Sequence, residues 1–169
     1  MNYEIKKGYI HAHVKSSLVG AIIKFPKISV GATENAILAA TLSEGKTVLK
    51  NCAIEPEIKD LVNFLLKMGC KIKWTGKRSL KISGVKEIKE ISYSVMFDRI
   101  EAGTYLIAAA LTEGNLQIKN VIPKIAGKLC TERGKTIVDN IAEKYGAKLA
   151  SIPTIKNAKP NEIRAERQR

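Results

Sequence analysis

The sequence predicts an α/β fold (α+β in its arrangement) assembled from repeated β-α-β-α-β-β units, and three observations carry that expectation. A small-residue block, Ala39-Ala40-Thr41-Leu42-Ser43-Glu44-Gly45, runs on to Asn51 and returns as Ala108-Ala109-Ala110-Leu111-Thr112-Glu113-Gly114, running on to Asn120. Behind the first block, Ile58, Leu61, Val62 and Leu65 recur at helical spacing. Cys70, Ile72 and Trp74 then alternate with Lys71 and Lys73, the period of a half-buried strand. Self-similarity of this kind marks structural repeats that bury a continuous core by stacking.

Taken in order, the elements follow from local chemistry. His11 and His13 sit at strand spacing and share one side of that strand; with no third ligand nearby, a solvated face is expected and no metal site. Each alanine-rich block reads as a helix stopped by glycine, followed by a strand, Val48-Leu49-Lys50 in one copy and Leu116-Gln117-Ile118-Lys119 in the other. The second helix is expected over 57–68, with acidic residues early and Gly69 as a left-handed cap. A turn at Thr75-Gly76-Lys77 returns the chain as Leu80-Lys81-Ile82. In the second copy the helix is expected over 135–145, carrying Ile137, Val138 and Ile141 up to Gly146, and a strand over 147–152. The surplus at 128–135 reads as a longer loop. The final stretch, Lys159 to Arg169, is highly charged with Ile163 as its only large apolar residue and reads as a frayed tail.

With 169 residues and 45% hydrophobic content, the chain is long enough for one domain or two small ones. No apolar run reaches the ~20 residues of a bilayer span, and Met1-Asn2-Tyr3-Glu4-Ile5-Lys6-Lys7 lacks the apolar core of a signal peptide, so a cytoplasmic location and no membrane partner are expected. Cys52, Cys70 and Cys130 are scattered, which suggests neither a disulfide framework nor a thiolate zinc site. The net charge of +13 favours an anionic partner. Nucleic acid is disfavoured: only 5% of residues are aromatic, no recognised motif is present, and the lysines are spread along the chain. An anionic substrate and a plainly lysine-decorated surface both remain open.

The stretch Lys27-Ile28-Ser29-Val30-Gly31-Ala32-Thr33-Glu34-Asn35 carries the most chemistry. A lysine, a hydroxyl and a glycine lead directly into a helical pattern, and the free N–H groups and dipole of a helix start favour an anion. The same residues also serve as ordinary turn and capping residues, so the pattern alone leaves both readings open.

Longer runs narrow the choice. Phe25-Pro26-Lys27-Ile28-Ser29-Val30-Gly31-Ala32-Thr33-Glu34-Asn35, Ala39-Ala40-Thr41-Leu42, Asn51-Cys52-Ala53-Ile54-Glu55-Pro56-Glu57-Ile58-Lys59-Asp60-Leu61 and Asp98-Arg99-Ile100-Glu101-Ala102-Gly103-Thr104-Tyr105 follow one another in a recognisable order and spacing. The chain resembles the enolpyruvate transferase family, in its UDP-N-acetylglucosamine 1-carboxyvinyltransferase branch, from about Gly8 to Asn120 and more loosely to the end. Enolpyruvylshikimate-phosphate synthases share the fold, but the Ser-Val-Gly-Ala-Thr-Glu-Asn wording belongs to the UDP-sugar branch.

The resemblance implies an inside-out α/β barrel, helices inside and sheets outside, with three repeat units in each of two domains. Residues 1–97 would close the first domain, 98–155 would open the second with Asp98 and Arg99 at the hinge, and 156–169 would be the tail. It implies transfer of enolpyruvyl from phosphoenolpyruvate to UDP-N-acetylglucosamine, the first committed step of peptidoglycan synthesis, with no cofactor. Lys27, Ile28, Ser29, Val30 and Gly31 would form the substrate-binding turn, Lys27 and Ser29 at the diphosphate and the Val30 and Gly31 N–H groups cradling it. Glu55 and Glu57 match an acidic pair near the cleft, read otherwise as charges at a helix start. Asp98 likewise reads otherwise as a helix-start charge beside a solvated arginine.

The family's Lys-Asn pair for phosphoenolpyruvate and its Cys-Arg loop would fall before Met1, and its Pro-Gly-Phe-Pro-Thr-Asp segment beyond Arg169. No catalytic residue is therefore assigned, and phosphoenolpyruvate would bind only if the missing segments were supplied. Three outcomes follow for a central fragment: pairing with complementary chain fragments, weak UDP-sugar binding without turnover, or an inactive remnant. A basic nucleic-acid-binding module is the reading from a different class. Inner helices without partners would expose apolar faces and favour association.

Overall fold

The computed structural model describes residues 2–14, 16–112, 116–122, 154–159 and 162–166. It divides into two compact units, Met1–Val95 and Met96–Arg169.

The first unit opens with an antiparallel hairpin of Asn2–Lys6 (β1) and Tyr9–His13 (β2), turned at Lys7 and Gly8 with φ of 50° and 82°. His11 and His13 lie exposed on one face of β2. Ile22–Lys24 (β3), Val30–Thr41 (α1), Lys46–Lys50 (β4), Pro56–Lys67 (α2), Lys71–Gly76 (β5) and Ser79–Ser83 (β6) then follow in the predicted β-α-β-α-β-β order. The four strands form one sheet in the order β3-β4-β6-β5, with β3 parallel to β4 and the other pairs antiparallel.

The core lies between that sheet and the two helices. Alternation turns Leu49, Ile72, Leu80 and Ile82 inward, where they meet Ile37 and Ala40 of α1 and Ile58, Val62 and Leu65 of α2. Burying each of the large residues contributes about 1.5–3 kcal/mol. α2 starts at Pro56, suited to a first turn whose N–H needs no partner, and Gly69 takes φ of 93° behind it, as its glycine predicts.

Residues 84–95 are held against the helices. Gly84 N–H donates to the Gly45 carbonyl (3.0 Å) and Val85 N–H to the Thr41 carbonyl (2.9 Å). Tyr93 donates its hydroxyl hydrogen to Asp60 Oδ1 (2.8 Å), packs edge-on against Phe64 with ring centres 5.2 Å apart, and lies under the Lys67 ammonium at 4.9 Å.

The second unit contains Arg99–Leu111 (α3) and the sheet β7-β9-β8, formed by Leu116–Ile118 (β7), Thr154–Lys159 (β8) and Glu162–Glu166 (β9). Ala102, Leu106, Ala109 and Val121 are its buried cluster, with Phe97, Leu116 and Ile118 packed against them. The expectation of a frayed tail from Lys159 on is corrected at 162–166, which form β9 against β7 and β8. Strand pairing draws on main-chain groups that charged residues supply equally well, and the register sets Ala165 opposite Leu116 and Ile163 opposite Ile118. The expected loop at 128–135, the helix over 135–145 and the strand over 147–152 lie outside the described residues, as do Cys130 and Gly114.

Candidate functional site

Lys27 and Ile28 occupy the turn between β3 and α1, and both are exposed, Ile28 to 48%. Ser29 is the N-cap of α1, in extended conformation (φ −144°, ψ 128°), and its Oγ accepts from the Ala32 N–H at 3.3 Å. Its carbonyl receives the first helical bond, from the Thr33 N–H at 3.1 Å. The cap thus satisfies one orphan donor and leaves the N–H groups of Val30 and Gly31, the first two helical residues, without an intrahelical acceptor. Apart from its chain neighbours and its own helix, no atom stands within 4 Å of where a Gly31 Cβ would be, so that side of the turn is uncrowded.

The turn is stitched to the segment after β4. Asn51 adopts φ of 62°, and its side-chain amide donates to the Phe25 carbonyl at 2.9 Å. Fully buried Thr33 donates through Oγ1 to the Ser29 carbonyl (2.7 Å) and accepts there from the Ala53 N–H (3.0 Å). Arg78 clasps Cys52 from both sides, its guanidinium donating to the Cys52 carbonyl (2.9 Å) and its main-chain carbonyl accepting from the Cys52 N–H (3.0 Å).

The segment ends at Glu55, the N-cap of α2, whose carboxylate takes the Ile54 N–H at 2.7 Å. Glu57 sits in the first turn of α2, as the helix expected over 57–68 implies, and its charge complements the dipole there. Burial pushes the thiol pKa of Cys52 up, against opposing backbone hydrogen bonds, and that of Cys70 up as well, so both behave as small core residues.

In the second unit, Asp98 caps α3: Oδ1 accepts from the Ile100 N–H (2.7 Å) and the Glu101 N–H (3.1 Å). Arg99 is the first residue of that helix and half-buried. Asp98 also borders a pocket of about 350 Å³ with Phe97, Glu101, Tyr105, Lys119 and Asn120. Among the described residues no group of three or more His, Cys, Asp or Glu could hold a metal ion. No helix among them is long and apolar enough to cross a membrane.

Sequence reasoning did not assign Thr33, Asn51 or Arg78 a part in the site. A signal existed for the first two. Thr33 lies inside the quoted motif, and an asparagine ending both repeat copies hints at left-handed backbone, which Asn51 and Asn120 both adopt, at φ of 62° and 58°.

The ordered runs can now be set beside known proteins. The family model described as EPSP synthase (3-phosphoshikimate 1-carboxyvinyltransferase) matches residues 1–167. The chain belongs to this enolpyruvate transferase family. It is 62% identical over 149 residues to the UDP-N-acetylglucosamine 1-carboxyvinyltransferase of Pelagibacter ubique, covering 88% of this chain and 34% of that one. To the protein of the same name from Coxiella burnetii it is 51% identical over 124 residues, covering 73% of this chain and 29% of that one. This enolpyruvate transferase chain therefore spans about a third of the length of those relatives. The crystal structure of the enolpyruvyl transferase NikO from Streptomyces tendae superposes with a TM-score of 0.67 over 98% of this chain and 39% of that one, at 19% identity, which supports the fold.

Proposed function

We infer that the turn at Lys27, Ile28, Ser29, Val30 and Gly31 seats the diphosphate of UDP-N-acetylglucosamine, and that the chain serves enolpyruvyl transfer from phosphoenolpyruvate to that sugar. The observation that carries the reading is the α1 start, where Ser29 caps with a neutral hydroxyl and leaves the Val30 and Gly31 amides without an intrahelical acceptor, beside an uncrowded glycine. Lys27 adds a positive charge on the same turn, and the net charge of +13 draws anions in.

The relatives' shared name supports UDP-N-acetylglucosamine as the acceptor and, with it, a cytoplasmic role in peptidoglycan synthesis, on which cell shape and division depend. Chemistry on the bound sugar needs an acid and a base beside the enol, and no residue described here is assigned either role. Turnover is therefore expected only when complementary segments of a transferase complete the cleft and bring phosphoenolpyruvate. In that complete protein, residues 1–97 belong to one domain and 98–155 begin the other, with Asp98 and Arg99 at the hinge and Glu55 and Glu57 toward the cleft.

Calorimetric titration of the chain with UDP-N-acetylglucosamine, beside a Lys27→Ala, Ser29→Ala double variant, tests this. Saturable binding lost in the variant is expected; equal binding by both, or none by the folded parent chain, would reject the seat.

A further inference from the structure

We propose that Thr33 is a positioning residue that locks the α1 seat to the segment leading to Glu55, so that the phosphate end and the acidic end of the site keep one fixed geometry. The proposal rests on the nucleotide-sugar reading for what the seat holds, while the coupling itself is readable without ligand.

The hydroxyl of Thr33 is completely buried and uses both of its capacities, donating to the Ser29 carbonyl at 2.7 Å and accepting from the Ala53 N–H at 3.0 Å. Ser29 supplies the cap, and Ala53 stands two residues before Glu55, so one oxygen bridges the two halves. The segment between is braced independently by Asn51 on the Phe25 carbonyl and by Arg78 on Cys52. The seat is thereby held at both ends, at Phe25 before Lys27 and at Ser29 after it. With its rotamer fixed by burial and two hydrogen bonds, such a support limits drift of the amides it positions.

The second repeat acts as an internal control. The position matching Thr33 there is Ala102, buried in an apolar cluster and still donating its N–H to the Asp98 carbonyl at 3.0 Å. The repeat's helix start therefore forms without a hydroxyl at this place. What the hydroxyl adds in the first copy is the link to Ala53.

The test uses the whole chain with Thr33→Val, Thr33→Ser and, should the valine variant not fold, Thr33→Ala, the residue the second copy carries. Amide exchange at Ala32 and Ala53, whose N–H groups are held by Ser29 Oγ and Thr33 Oγ1, is measured by NMR without ligand, then UDP-N-acetylglucosamine is titrated. Thr33→Val is expected to speed exchange at both amides, leave the β5–β6 ladder unchanged and weaken binding about five- to tenfold, as loss of one hydrogen bond implies. Thr33→Ser is expected to restore both readouts. Unchanged exchange at Ala32 in the hydroxyl-free variant, or failure of serine to restore it, would overturn the proposal. If the parent chain binds no nucleotide sugar, the functional reading falls, and the exchange data alone decide whether Thr33 positions the turn.

Discussion

Ser29 and Asp98 occupy the same place in two copies of one repeat. Each accepts the N–H three residues ahead, Ala32 to Ser29 Oγ at 3.3 Å and Glu101 to Asp98 Oδ1 at 3.1 Å, and each carbonyl takes the N–H four ahead, from Thr33 and from Ala102. They differ in charge and in what they leave free. The Asp98 carboxylate also takes the Ile100 N–H, so the α3 start carries its own anion, while the α1 start does not. Of these two helix starts, the first is the one the proposed phosphate seat requires.

Ser29→Asp should convert the first seat into the second. Asp caps as well as Ser and suits the dipole, so thermal stability should hold or rise, whereas UDP-N-acetylglucosamine binding should be lost to repulsion and occupied amides. Ser29→Ala should instead lower stability by about 1 kcal/mol, the usual worth of a cap. A melting curve and a titration for each variant separate the two effects.

Lys27→Ala should weaken nucleotide-sugar binding about ten- to a hundredfold, the range of a charge-assisted hydrogen bond, and flatten its salt dependence. Because Lys27 is exposed, the melting temperature should hardly move. Titrations at two ionic strengths check both parts.

Tyr93 should make the first unit sensitive to alkali. Its hydrogen bond to Asp60, then partial burial, then the Asp60 charge, raise its pKa above the ordinary value of 10.0. The stabilisation is therefore present below the unfolded value and is lost as pH rises through the raised folded one. Tyr93→Phe should remove this alkaline step, read as melting temperature against pH.

The outer side of α1 should drive association. Leu38 is 50% exposed and Leu42 is exposed as well, on a helix whose other side holds Ile37 and Ala40 in the core. Leu38→Glu should leave folding within about 0.5 kcal/mol and reduce self-association, measured by sedimentation or light scattering.

Much of this was legible beforehand, where local chemistry and tertiary need agree. The stripe of Ile58, Val62 and Leu65, the left-handed Gly69 and the alternation of Ile72 with lysines each admit one arrangement, and each is found. The cap at Ser29 was legible from hydroxyl and glycine spacing. Thr33 was legible only as part of the motif and not as a link, because its partner Ala53 is distant in sequence and has no polar side chain to signal the contact. The strands β8 and β9 were hidden for a related reason: main-chain pairing leaves little mark on a charged sequence. Glu57 admits both readings in the sequence, because an acid beside a proline is equally the wording of a helix start, where the structure places it.

The most direct test of the seat is an amide-resolved NMR titration of the chain with UDP-N-acetylglucosamine. Saturable shifts are predicted at Val30 and Gly31, with Ile100 and Glu101 at the Asp98-capped helix unmoved. Equal shifts at both helix starts, or none at Val30 and Gly31, would contradict the assignment of the α1 start as the phosphate seat.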